Sequence, residues 1–160
     1  MPIIRNCILP EDLYYDVEND LWARFEASGL VTLGLTDVGQ SRAGRILVVT
    51  IRRDVGDEVT RGRVVALLES AKWLNPVRSL FTGRVAEVNA RVRERPSLMN
   101  EAFYGEGWIL RLEPSIRDER RLWPTGDAAL RLYTEKLARP YRSVRGVEED
   151  FWCVHCRETG

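Results

Sequence analysis

Side chains able to form covalent bonds or hold metals are scarce in this chain. Of its 24 basic residues only Lys72 and Lys136 are lysine, the rest being arginine, and a single histidine, His155, stands near the C-terminus. A lysine amine can serve as a nucleophile or as the acceptor of an acyl group. Lys72 stands in a short polar stretch, Glu69-Ser70-Ala71-Lys72, followed by Trp73-Leu74-Asn75-Pro76. Pro76 restricts the backbone just beyond it, so Lys72 is expected at an exposed hairpin tip, where the bland alternative is a surface lysine. The cysteines are Cys7, Cys153 and Cys156. In Cys153-Val154-His155-Cys156 the two sulfurs can reach one atom, which suits half a zinc site or a redox pair, with Cys7 as the only further soft ligand; the alternative is an inert terminal pair. A Ser-His-Asp triad or Cys-His dyad would have to use His155, so a conventional hydrolase is not expected. Gly105 and Gly107 form no phosphate loop, because no Lys-Ser/Thr follows and a strand comes next.

Bulk composition narrows the field. The chain of 160 residues, 44% hydrophobic, suits one domain with a short appendage. Basic and acidic residues balance at 24 each, whereas a nucleic-acid binder needs a basic surplus to displace counterions. The arginine bias reads as the composition of a GC-rich genome. No apolar run approaches the roughly 18 residues of a membrane span, and the start, Met1-Pro2-Ile3-Ile4-Arg5-Asn6-Cys7, lacks the pattern of a secretory signal. Three cysteines make no disulfide framework. A cytoplasmic protein with no membrane and no nucleic-acid partner is expected.

The elements that must position Lys72 are short strands. Val31-Thr32-Leu33-Gly34-Leu35 reads as one, Thr36-Asp37 as the cap of a helical turn through Ala43, and Gly44 as its stop. Arg45 to Ile51 and Val64 to Leu68 read as strands, separated by a turn at Val55-Gly56-Asp57-Glu58-Val59. Gly44-Arg45-Ile46-Leu47-Val48-Val49 is echoed by Gly83-Arg84-Val85-Ala86-Glu87-Val88, which predicts two similar β-halves packed face to face. Residues 93–100 read as helix or loop, Trp108 to Leu112 as a strand ended by Pro114-Ser115, and Asp127 to Arg139 as an amphipathic helix bounded by Gly126 and Pro140. The tail from Glu148 to Cys156 is aromatic and cysteine-bearing.

The order Gly44, then Val55-Gly56-Asp57-Glu58-Val59, then Glu69-Ser70-Ala71-Lys72, then Thr82-Gly83-Arg84-Val85 resembles a lipoyl domain. More narrowly, Gly34-Leu35-Thr36-Asp37 and Asn100-Glu101-Ala102-Phe103-Tyr104-Gly105-Glu106-Gly107-Trp108 are similar to the Gly-Ile-Thr-Asp and Asn-Glu-x-x-Tyr-Gly-x-Gly-Trp motifs of the glycine cleavage H-protein family. The resemblance runs from about Leu13 to Ser115, which divides the chain into a carrier domain, residues 1–115, and a C-terminal extension, residues 116–160. It implies a mainly β fold, a lipoyl/biotinyl-type barrel-sandwich hybrid with short flanking helices, extended by a C-terminal helix. It also implies lipoate joined by an amide bond to Lys72, with no catalytic residue and no metal. Glu69 and Ser70 would be recognised by the lipoate ligase or lipoyl transferase. Biotin carriers share the scaffold but flank their lysine with methionine, where this chain has Ala71 and Trp73.

Two departures from the family bear on cargo. The stretch Tyr15-Asp16-Val17-Glu18-Asn19-Asp20-Leu21-Trp22 keeps the tryptophan of a His-Glu-Trp type motif but has no histidine. Trp73-Leu74 replaces the small residues that usually follow the lysine, which reads either as a docking feature or shield for the arm or as packing across the hairpin. This flank and the extended C-terminus resemble the lipoate-binding branch linked to heterodisulfide-reductase-like sulfur oxidation, so a sulfur-bearing cargo delivered to such a complex is expected. The alternative is the ordinary H-protein role, an aminomethyl carrier between glycine decarboxylase and aminomethyltransferase, reoxidised by dihydrolipoamide dehydrogenase.

Overall fold

A computed structural model describes residues 2–71, 73–139, 141–142, 148–149 and 153. The strands are β1 (Ile3–Ile4), β2 (Cys7–Ile8), β3 (Tyr14–Asp16), β4 (Leu21–Phe25), β5 (Val31–Leu35), β6 (Ile46–Ile51), β7 (Glu58–Val59), β8 (Val64–Ser70), β9 (Trp73–Arg78), β10 (Gly83–Val88), β11 (Leu110–Pro114), β12 (Tyr141–Arg142) and β13 (Glu148–Glu149). Helices α1 (Asp37–Ala43), α2 (Ala90–Glu94), α3 (Leu98–Glu101) and α4 (Gly126–Ala138) join a 3-10 turn at Arg117–Leu122. All strand pairings are antiparallel, in a six-stranded sheet ordered β3-β4-β5-β11-β10-β7 and a three-stranded sheet ordered β6-β8-β9, with β1-β2 and β12-β13 as two-stranded ribbons.

The two larger sheets share one core. Leu21, Ala23, Val31, Leu33, Leu35, Val85, Leu110 and Leu112 from the first meet Ile46, Val49, Ile51, Ala66, Leu68 and Val77 from the second. The echoed segments thus fall in different sheets and both feed this core, through Ile46 and Val49 on one side and Val85 on the other. The alternation of β4 builds a second core behind the larger sheet. Leu21 and Ala23 face the shared core, whereas Trp22 joins Cys7, Leu9, Leu13, Tyr15 and Val38 on the opposite side, as the period of two in a strand requires. Helix α4 covers that second core with Ala129, Tyr133 and Leu137, spaced four residues apart. Its apolar face is narrower than the sequence suggests, because Leu132 is exposed.

Local signals held where they were strongest. Thr36 caps α1, its Oγ1 accepting from Gly39 N at 3.1 Å, and Gly44 ends the helix at φ +74°. Gly56 turns at φ +96°, as the acidic turn requires. The strand expected from Trp108 begins instead at Leu110. The reason is Asn89, whose Nδ2 donates to the carbonyls of Glu106 and Trp108 at 2.8 and 2.7 Å, so Trp108 closes a turn before the ladder starts.

The cysteines need a correction. An odd count with no framework suggested no bridge, yet Cys7 of β2 and Cys153 are joined as a disulfide with their Cα atoms 5.2 Å apart. Cys153 N donates to Arg5 O at 3.0 Å, which carries the distant tail to the N-terminal strand. Sequence spacing could not show a pairing across 146 residues. Cys156 is then the one cysteine of three outside the bridge. Protein unfolded without reductant is expected to show one titratable thiol and, after reduction, three. Three thiols without reductant would mean the bridge is not made.

Candidate functional site

The β8–β9 hairpin is the tightest in the smaller sheet. Ser70 pairs with Trp73, so only Ala71 and Lys72 lie between the paired residues. A two-residue connection is the shortest a hairpin allows, and it fixes the register of both strands. Lys72 itself lies outside the described residues. Its neighbours are placed: Glu69 and Ala71 are exposed, and Ser70 Oγ donates to Trp73 O at 3.5 Å across the base of the turn. Trp73 is half-buried and packs against the shared core. Its ring therefore anchors the hairpin, and the exposed member of the expected Trp73-Leu74 feature is Leu74. Cross-strand register puts Val48, Glu69 and Leu74 in one row, and Leu47, Val48 and Leu74 are each about half exposed or more, so an apolar rim frames the turn.

The other lysine is withdrawn from solvent. Lys136 Nζ donates to Val17 O at 2.5 Å, Glu18 O at 3.3 Å and Asp20 Oδ1 at 2.8 Å, which engages all three hydrogens of the ammonium. Burial pushes the Lys136 pKa below the ordinary lysine value while Asp20 opposes the shift, and burial likewise raises Asp20 against the pull of Lys136 and Arg42. Tyr133 completes the group, its hydroxyl 3.2 Å from Asp20 Oδ1. Asp20→Asn keeps an acceptor but removes the charge facing two cations. Hydrogen bonds to charged groups are worth about 1.5–3 kcal/mol, and a loss of that size is expected in denaturant unfolding; an unchanged midpoint would show the network contributes nothing. Nothing in the sequence pointed to this network, since Asp20 and Lys136 meet only where α4 lies against the turn between β3 and β4.

The remaining motif residues are structural. Asn100 Oδ1 accepts from Ile46 N at 2.8 Å, and its Nδ2 donates to Gly44 O and Gln40 Oε1 at 2.8 and 3.1 Å, locking α1 and α3 to the start of β6. The Tyr104 hydroxyl donates to Ile8 O and accepts from Asp37 N. A Cβ at Gly107 would lie 2.5 Å from Leu98 O, so the backbone passes too closely for any side chain. Half of a zinc site was one reading of the C-terminal cysteines; Val154, His155 and Cys156 lie outside the described residues. Cys7, Asp37 and Cys153 do cluster, but the two sulfurs are bonded to each other and Asp37 already accepts from Ile8 N and Gln40 Nε2. Among the described residues no helix is long and apolar enough to cross a membrane.

Two antiparallel sheets around one core, with a lysine-bearing two-residue turn at one end, define a barrel-sandwich carrier domain. Comparison with known proteins places it more closely. The model of the family described as "Glycine cleavage H-protein" matches residues 13–132. "Glycine cleavage system H protein 3" of Aquifex aeolicus is 49% identical over 114 residues, 71% of this chain and 70% of that one. "Glycine cleavage system H protein 2" of the same organism is 44% identical over 137 residues, 84% of each chain. A crystal structure of a glycine cleavage system H protein from Mycobacterium marinum aligns over 80% of this chain and 98% of that one, with a TM-score of 0.66 at 22% identity, which supports the fold. The chain belongs to the glycine cleavage H-protein family. Members are non-catalytic carriers of lipoate held covalently on a lysine.

Proposed function

We propose that lipoate is attached to Lys72 and that the chain carries an aminomethyl group from a glycine decarboxylase to an aminomethyltransferase, with reoxidation by a dihydrolipoamide dehydrogenase. The observation that carries the site is the Ser70–Trp73 pairing, which leaves Lys72 in a two-residue turn anchored by Trp73. An amine offered to a ligase must be accessible and held on a rigid support, because a floppy acceptor loses the entropic advantage of a bound geometry. In this reading Glu69, Ser70 and Ala71 are the exposed or half-exposed edge read by the lipoate ligase or lipoyl transferase, and Trp73 supports them from below. Bound lipoate supplies a cyclic disulfide on a long flexible tether. The cargo assignment follows the names of relatives such as the two Aquifex aeolicus chains, each called a glycine cleavage system H protein.

A second reading keeps the same lysine and changes the cargo to sulfur-bearing intermediates bound for a heterodisulfide-reductase-like complex. It is favoured by the bulky Trp73-Leu74 flank with its apolar rim, and by the occurrence of three numbered H proteins, 2, 3 and 5, among the relatives from Aquifex aeolicus alone. Several carriers in one cell leave room for more than one cargo. Lipoylated protein mixed with glycine, glycine decarboxylase and pyridoxal phosphate decides between them. Loading at a rate comparable to a dedicated H protein supports the aminomethyl reading, whereas failure to load with intact lipoylation overturns it in favour of the second.

A further inference from the structure

The end of the smaller sheet opposite the Lys72 turn holds a concentration of positive charge. There, where β6 ends and β8 begins, Arg52, Arg53, Arg63 and Arg78 line an open groove of about 570 Å³ with Val64 and Leu67. None of the four guanidiniums lies within 4.0 Å of a carboxylate among the described residues. Two of them are steadied by the fold: Arg53 Nη2 donates to Val64 O at 3.2 Å and Arg78 Nη1 to Gly62 O at 3.0 Å. The Nε of Arg53 is out of solvent with no acceptor. The side chains of Arg52 and Arg63 make no hydrogen bond and are exposed. Four like charges around one cavity repel one another, in a chain whose overall charge is zero, and among the described residues no carboxylate offsets them as Glu119, Glu106 and Glu101 offset Arg61, Arg91 and Arg95.

We propose that this groove binds a di- or triphosphate group, free or borne by a nucleotide. The charge sets the class of ligand. Each guanidinium offers a planar fork of donors matched to the oxygens of phosphate, and one or two monovalent ions would leave most of the field uncompensated. Carboxylates of a partner protein carry one charge each on separate side chains, so offsetting four guanidiniums would take several of them placed together. A polyphosphate brings three or four negative charges in a single short chain. The volume falls in the range of small-molecule sites, roughly 300–1,000 Å³, and Val64 and Leu67 give its floor an apolar portion beside the charges. The groove is separated from the lysine turn by the length of β8, so binding there leaves the turn open.

The experiment is calorimetric titration of the full chain with inorganic phosphate, pyrophosphate, inorganic triphosphate and ATP, repeated on Arg52→Gln/Arg63→Gln. Because neither side chain is bonded to the fold, the variant should keep the wild-type melting temperature. Saturable binding that tightens from phosphate to triphosphate, and weakens at least about tenfold in the variant, a change of about 1.4 kcal/mol, is the expected result. Equal affinities for inorganic triphosphate and ATP would identify the phosphate chain as the whole ligand, and tighter binding of ATP would identify a nucleotide. No saturable binding of any of the four up to about 5 mM, or equal binding by the variant, overturns the proposal. So would tighter binding of polyglutamate than of triphosphate, which would reassign the groove to an acidic protein partner.

Discussion

Lys72→Arg is expected to abolish lipoyl attachment completely, with intact mass showing one lipoyl increment on the wild type, none on the variant and one still on Lys136→Met. The sequence leaves a ligase two lysines to choose from, and the fold removes one. Acyl transfer needs a neutral amine with a free lone pair approaching an activated carboxyl. Lys136 is held as an ammonium between two carbonyls and the Asp20 carboxylate, and its side chain is only 18% exposed. Extracting it would break the ion pair with Asp20 and strand a buried charge, which costs about 3–5 kcal/mol where a pair is well buried. The turn between Ser70 and Trp73 exacts no such cost, since the exposed Ala71 beside Lys72 carries no side chain that must be displaced. Arginine at position 72 keeps the positive charge but has no deprotonated form to acylate, so the loss should be total rather than partial. An increment that persists in Lys72→Arg, or disappears in a folded Lys136→Met, would refute the assignment.

What was legible in the sequence divides by the range of the interactions. Thr36, Gly44 and Gly56 act on backbone within four residues, and each was readable from residue type alone. The same holds for β5 and β8, whose apolar runs sit in the middle of sheets. The family and the lysine-bearing turn were readable because several motifs recur in one order, but the physical work of those motifs was not. Asn100 binds the start of β6 across more than fifty residues, and Tyr104 reaches Ile8 across ninety-six. Trp73 could be weighed as docking feature or packing from its type, but only the three-dimensional core decides that it is half-buried. The Cys7–Cys153 bridge, the Asp20–Lys136 pair and the arginine groove join segments distant in sequence, and no periodicity encodes them. For the arginines, the bulk bias toward that residue hid four positions whose lack of carboxylate partners shows only in the fold.

Trp22→Ala is expected to produce the largest loss of stability of any change discussed, about 3–5 kcal/mol, while leaving lipoyl attachment intact at temperatures where the variant is folded. The residue is the tryptophan kept from the His-Glu-Trp type motif, and it has no exposed surface. Its Nε1 stands 3.1 Å from Leu35 O and 2.9 Å from Phe103 O, donating between the end of β5 and the turn after α3. Truncation leaves both carbonyls without that donor and opens a void between β4 and the second core, on the side of the larger sheet away from the lysine turn. For a domain of this size each kcal/mol lowers the melting temperature by about 2–4 °C, so a drop of roughly 6–20 °C should appear by calorimetry. Gly34 supplies an internal control. A Cβ there would lie 2.5 Å from the Trp22 ring, so Gly34→Ala is destabilising in the wild type, where the indole is fixed on both sides. With the indole gone the same methyl enters vacated space, so the two substitutions together should cost less than their sum, by an amount a double-mutant cycle can resolve. Strict additivity would mean that the Gly34 backbone and the Trp22 ring do not share that space. A melting temperature unchanged by Trp22→Ala would refute its place as an anchor of the second core.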